Sequence, residues 1–139
     1  MKIKSEQEMV EHGKKLAEKC KSRQDFAAVI ELIGDVGVGK TTLVRGLAEE
    51  LGVMESVTSP SFTISKAYAL PSGGRLVHYD FYRLDDPGLM VEDLQENLAE
   101  AKNVVVIEWG ESVADLLPEW HLKVEIGYND DGTREVVDG

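Results

Sequence analysis

A chain of 139 residues, 42% hydrophobic, has material for one buried core and is short for two, so a single domain is expected. Fifteen basic residues face 26 acidic ones, and residues 61–139 hold 6 against 16, a balance that excludes sequence-independent grip on nucleic acid through Lys and Arg clusters. The lone Cys20 excludes an intrachain disulfide and a thiolate metal cluster, and no apolar run approaches the roughly 20 residues that a membrane span requires.

The N-terminus Met-Lys-Ile-Lys-Ser leads into a charged helix rather than a secretory signal, which implies a cytoplasmic protein. Ser5-Glu6-Gln7-Glu8 is a capping box, and Met9, Gly13, Leu16, Ala17 and Cys20 then fall on one face of a helix ending near Lys21. This helix is expected to pack beside a sheet; whether its start also touches a nucleotide base is open. His12 reads as a surface residue and Cys20 as helix packing.

Residues 27–33 read as a buried strand and 41–51 as a helix, with Leu43, Val44, Leu47, Ala48 and Leu51 as its apolar stripe and Gly52 as its stop. Between them stands Gly34-Asp35-Val36-Gly37-Val38-Gly39-Lys40-Thr41, which fits the phosphate-binding pattern G-x-x-x-x-G-K-[ST] in its strand-to-helix context. Glycines let successive backbone N–H groups converge on phosphate oxygens, where the helix N-terminus adds positive potential. Asp35, Val36, Gly37, Val38, Gly39, Lys40, Thr41 and Thr42 are therefore the expected nucleotide contacts. Lys40 is placed to reach the β- and γ-phosphates of a nucleotide, and the Thr41 hydroxyl to bind a phosphate-bound Mg²⁺.

The hydroxyl-rich stretch 57–63, broken by Pro60, is either a nucleotide switch or an ordinary polar connector. Two β-like runs, 62–70 and 75–81, follow around Pro71-Ser72-Gly73-Gly74, with His78, Asp80 and Tyr82 on one face of the second and Tyr79, Phe81 and Arg83 on the other. A carboxylate in a mostly apolar strand is costly to bury without a cation, metal or donors. Asp80 thus either serves a purpose at the strand end or is a structural partner of Arg83 or of a helix start; His78 reads as a satisfied core histidine outside the site.

An acidic helix is expected after Asp85-Asp86-Pro87-Gly88, with Leu89, Met90, Leu94 and Leu98 toward the core. Residues 103–109 then give an apolar β-branched strand ending in Glu108, the description of a Walker B segment that lies beside the phosphate-loop strand and delivers its carboxylate to Mg²⁺ or its water. Trp109 is assigned to the nucleotide site, either packing the core or covering the phosphates. A short helix closed by Pro118 and a hairpin, 122–128 and 133–137 around Asn129-Asp130-Asp131-Gly132, complete the chain. Arg134 reads as a phosphate contact or a surface residue. The expected architecture is α/β, a three-layer P-loop NTPase-like fold with a mixed, largely parallel central sheet and β-hairpins.

Taken in order, the loop Gly-Asp-Val-Gly-Val-Gly-Lys-Thr-Thr, then Ser59-Pro60-Ser61-Phe62, His78-Tyr79-Asp80-Phe81-Tyr82-Arg83-Leu84 and Val106-Ile107-Glu108-Trp109 resemble the TsaE family, formerly YjeE. That resemblance implies a small bacterial ATPase working with TsaB and TsaD in making threonylcarbamoyladenosine in tRNA, without itself transferring the carbamoyl group. It also implies that Thr41 and Glu108 hold Mg²⁺, that Lys40, Asp80 and Glu108 are catalytic, with Asp80 acting at the hydrolytic water or the metal shell, and that residues 59–62 form a switch. Two positions depart from the family pattern: Ser61 replaces a common threonine but keeps the hydroxyl, and Met9 stands where a polar residue is usual. Competing classes are a small-molecule kinase, for which five unclustered arginines supply no lid, and a GTP switch, for which no N-K-x-D segment is present.

Overall fold

A computed structural model describes residues 1–21, 27–35, 37–58, 65–81, 88, 90–118 and 121–138. The expectations placed on Val36, on the 59–62 switch, on Tyr82 and Arg83, and on Leu89 lie outside these residues. The chain runs β1 (Lys2–Ile3), α1 (Glu6–Lys21), β2 (Ala28–Ile33), α2 (Lys40–Leu51), β3 (Ser65–Ala69), β4 (Arg75–Asp80), α3 (Met90–Ala99), β5 (Val104–Glu108), a 3-10 helix (Gly110–Leu116), β6 (Leu122–Tyr128) and β7 (Arg134–Asp138).

Among the described residues, seven strands form one sheet in the order β1-β7-β6-β2-β5-β4-β3. The centre is parallel: β2 pairs with β5 and β6, and β5 pairs with β4. Antiparallel pairs β3–β4, β6–β7 and β1–β7 make up the flanks. All five residues of β5 are buried, which is why its sequence is continuously apolar up to Glu108 instead of alternating.

Helices cover both faces. Leu16, Ala17 and Cys20 of α1 and Leu43, Val44 and Leu47 of α2 pack with Ile30, Leu32, Val106 and Ile126. Their sequence neighbours Val29, Val105 and Ile107 point to the opposite face, with Leu94 of α3 and Val113 of the 3-10 helix. No helix of the described residues is long and apolar enough to cross a membrane.

Helices α1 and α2 touch backbone to backbone. A Cβ on Gly13 would lie 2.2 Å from Leu43 O, and one on Gly46 would lie 2.1 Å from Val10 O, so both contacts require glycine. At the start of α1 the Glu8 N–H donates to Ser5 Oγ at 3.1 Å, while the Glu8 carboxylate accepts from Lys4 N–H at 2.8 Å, one residue earlier than in a standard capping box. The helix is capped reciprocally all the same.

His12 is a correction. It is buried at 5% exposure, with Nε2 3.0 Å from Asp138 Oδ1, because α1 is covered by the end of β7 as well as by α2. A single helical stripe understates a helix packed on two sides.

Candidate functional site

The chain leaves β2 at Ile33 and enters α2 at Lys40 through a loop in which Gly37 and Gly39 take φ angles of 83° and 116°. Only glycine adopts these without strain. The first helical bond of α2 runs from Leu43 N–H to Gly39 O at 3.0 Å, so the N–H groups of Lys40, Thr41 and Thr42 have no helical acceptor. Among the described residues no side chain caps this end, and its first turn carries no acid, whereas α1 has Ser5, Glu6 and Glu8 there. The positive end of α2 is left unneutralised, which suits an anion.

Lys40, at 6% exposure, points its ammonium back under the loop, donating to Gly34 O at 2.6 Å and lying 3.2 Å from Glu108 Oε1. The Trp109 ring is 5.0 Å away. The other Glu108 oxygen, Oε2, is hydrogen-bonded to His78 Nε2. Burial pushes the Glu108 carboxyl up, but the hydrogen bond and charge of His78, followed by those of Lys40, outweigh it and hold the group below the usual carboxylate range. An ionised carboxylate therefore accepts from both neighbours at neutral pH.

Strand register brings the acids together. Asp80 at the end of β4 is the direct partner of Glu108 at the end of β5, which in turn faces Leu32 at the end of β2. Paired residues of parallel strands share a face, so Asp80 lies on the α2 side of the sheet, half-buried. Asp35 is exposed and its carbonyl accepts from Val38 N–H at 3.3 Å; Thr41 and Thr42 are half-buried in the first turn of α2. Trp109 packs against the second core cluster while its ring approaches Lys40, so it both fills the core and flanks the site. It is also the only non-glycine residue with positive φ among those described, at 57°.

His78, read from the sequence as a satisfied core histidine outside the site, is wholly buried as expected, and its hydrogen-bond partner is Glu108. The alternation rule did mark His78 on the same face as Asp80, the one signal that could have found that bond. Arg134, read as a phosphate contact or a surface residue, instead donates Nε–H to Val38 O at 3.0 Å, and Tyr128 donates its hydroxyl to Gly37 O at 2.9 Å. Tyr128 was missed, since nothing local marks an aromatic residue at a strand end. Beside the loop lies a cleft of about 390 Å³ walled by Ser5, Glu6 and Met9, by Gly39 and Thr42, and by Arg134. The start of α1 therefore adjoins the loop.

Among the described residues no group of three or more His, Cys, Asp or Glu is arranged to hold a metal. Among these residues a cation caged by protein carboxylates does not fit. One hydroxyl, Thr41, and one carboxylate, Glu108, do fit Mg²⁺, which keeps waters and takes phosphate oxygens as its remaining ligands.

The family model described as "Threonylcarbamoyl adenosine biosynthesis protein TsaE" matches residues 3–136. A protein of Streptomyces coelicolor named tRNA threonylcarbamoyladenosine biosynthesis protein TsaE is 40% identical over 119 residues, covering 85% of this chain and 78% of that protein. A protein of the same name from Haemophilus influenzae is 37% identical over 134 residues, covering 93% and 82%. The crystal structure of Bacillus subtilis YdiB superposes with a TM-score of 0.74 at 29% identity, covering 98% of this chain and 80% of that one.

Proposed function

The chain belongs to the TsaE family, and on that premise we propose that it binds and hydrolyses Mg-ATP at the loop between β2 and α2, in support of threonylcarbamoyladenosine formation on tRNA. The observation that carries this reading is the uncapped, acid-free start of α2 with the buried Lys40 ammonium drawn between a loop carbonyl and Glu108. Such a constellation has amides, helix potential and one fixed cation converging on a phosphate chain.

Within this reading the loop amides and Lys40 bind the β- and γ-phosphates, and Ser5, Glu6 and Met9, the α1 wall of the cleft, take the nucleoside. The Thr41 hydroxyl and Glu108 would hold Mg²⁺, which would supply charge neutralisation on the phosphates. Asp80, paired in register with Glu108, orients the attacking water. His78 and Lys40 fix the two oxygens of Glu108, so the carboxylate has one orientation and not several.

Arg134 is engaged with the Val38 carbonyl, and no arginine of the chain reads as an obvious finger except Arg83, which lies outside the described residues. A missing finger costs roughly 10³ to 10⁵ in rate. Turnover is accordingly slow for the isolated protein and stimulated by its partners TsaB and TsaD in the cytoplasm, with tRNA reached through them because the net charge of −11 disfavours direct binding. The test is ATP turnover with and without the TsaB and TsaD pair for wild type, Lys40→Ala and Glu108→Ala. Stimulation confined to wild type supports the reading; three proteins that behave alike refute the site.

A further inference from the structure

Two consecutive carbonyls of the phosphate loop are tied to the C-terminal hairpin. Tyr128, the last residue of β6, donates to Gly37 O at 2.9 Å, and Arg134, the first of β7, donates to Val38 O at 3.0 Å. These two residues are register partners across the hairpin, and the Arg134 guanidinium carbon lies 4.2 Å from the centre of the Tyr128 ring. Arg134 Nη1 also donates to Gly132 O at 3.0 Å, and β1 braces the hairpin from outside, with Ile3 opposite Arg134 and Lys2 Nζ 2.7 Å from Asp131.

In a trans peptide the carbonyl and the following N–H point in opposite directions. Holding Gly37 O and Val38 O toward the hairpin therefore turns the Val38 N–H inward, where it donates to Asp35 O at 3.3 Å, and leaves the Gly39 N–H directed away from the hairpin. Gly37 and Gly39, at positive φ, are the residues whose flanking peptides rotate most freely, and inside the loop one 3.3 Å bond from Val38 N–H to Asp35 O opposes that freedom. The hairpin supplies two further ties from sequence positions some 90 residues away.

We propose that Tyr128 and Arg134 are positioning residues of the phosphate loop, holding two carbonyls outward so that the loop keeps one shape and the Gly39 amide faces a phosphate chain before it arrives. This rests on the nucleotide reading of the loop. It assigns affinity for phosphate to a hairpin that contributes no residue to the loop motif, by preorganisation.

Tyr128 is 56% exposed, so Tyr128→Phe removes one hydroxyl, keeps the ring beside Arg134 and spares the core. Calorimetric titration with Mg-ATP and with Mg-tripolyphosphate, which lacks a nucleoside, is the test. Loss of one net hydrogen bond predicts about three- to tenfold weaker binding of both ligands by a common factor. The melting temperature is expected to fall by no more than the few degrees that one bond is worth, and the Val38 amide resonance of the unliganded protein to move. Arg134→Lys, which keeps the charge but not the planar Nε–H, is expected to weaken tripolyphosphate binding as well. Tripolyphosphate binding at the wild-type level in both variants would overturn the inference, as would a loss confined to ATP, which would make these residues nucleoside contacts. Wild-type protein that bound neither ligand would overturn the nucleotide reading and the inference with it.

Discussion

His78 Nε2 and Glu108 Oε2 are joined by a hydrogen bond between neighbouring strands, in a part of the sheet where His78 is wholly inaccessible to solvent. Because the Glu108 carboxyl is held below the usual range, it accepts, and His78 Nε2 is the donor. Among the described residues His78 Nδ1 has no partner. Replacing His78 by Ala removes a donor to a buried carboxylate and opens a cavity, for an expected loss of about 3 kcal/mol in denaturant unfolding. His78→Gln carries an N–H near the Nε2 position and is expected to recover more than half of that. Equal losses for the two variants would mean that volume, and not the bond, holds this corner.

Glu108 also sets an acid limit. A depressed carboxyl contributes stability that is present above the unfolded value near 4.5 and is lost as pH falls through the lower folded value. Wild type is therefore expected to lose stability from about pH 5 downward more steeply than Glu108→Gln. Unfolding midpoints measured from pH 7 to pH 3 check this, and parallel curves for the two proteins would contradict it.

The crossing of α1 and α2 gives a prediction whose sign is not obvious from helix propensity. Gly→Ala in a helix interior ordinarily gains about 1 kcal/mol. At Gly13 and Gly46, however, the new methyl would sit 2.2 Å and 2.1 Å from backbone oxygens that cannot rotate aside. Overpacking of this kind costs about 1–3 kcal/mol and more where backbone must move, so both variants are expected to be destabilised on balance. Urea midpoints above that of wild type would show that the helices separate freely.

Cys20 is buried among α1, α2 and the sheet, and burial pushes its thiol up to about 12. Since the thiolate is the reactive form, iodoacetamide at pH 8 is expected to leave the native protein unmodified and to label it in denaturant. Mass spectrometry reads the outcome, and rapid native labelling would require the thiol to be accessible.

Much of this molecule is legible in its sequence because several signals agree locally. The strand-loop-helix at 28–51, the buried run ending in Glu108 and the hairpin around residues 129–132 each combine periodicity with turn chemistry, and each forms as expected. Less legible is whatever depends on distant chain. Two-residue β1 has no periodicity to detect and exists because β7 offers it an edge. His12 reads as exposed until Asp138 is known to cover it, and His78 reads as core filler until register brings Glu108 alongside. Tyr128 and Arg134 meet the loop only after the sheet has placed β6 beside β2. The loop residues were thus visible, while the residues that hold them were not.

The account depends most on whether the loop between β2 and α2 grips a phosphate chain through Lys40. Calorimetric titration of Mg-ATP into wild type and Lys40→Ala, with circular dichroism to verify the fold, measures this directly. A charge-assisted hydrogen bond to phosphate predicts roughly ten- to hundredfold weaker binding by Lys40→Ala. Equal affinity in the two proteins, or no binding by wild type, would contradict the account.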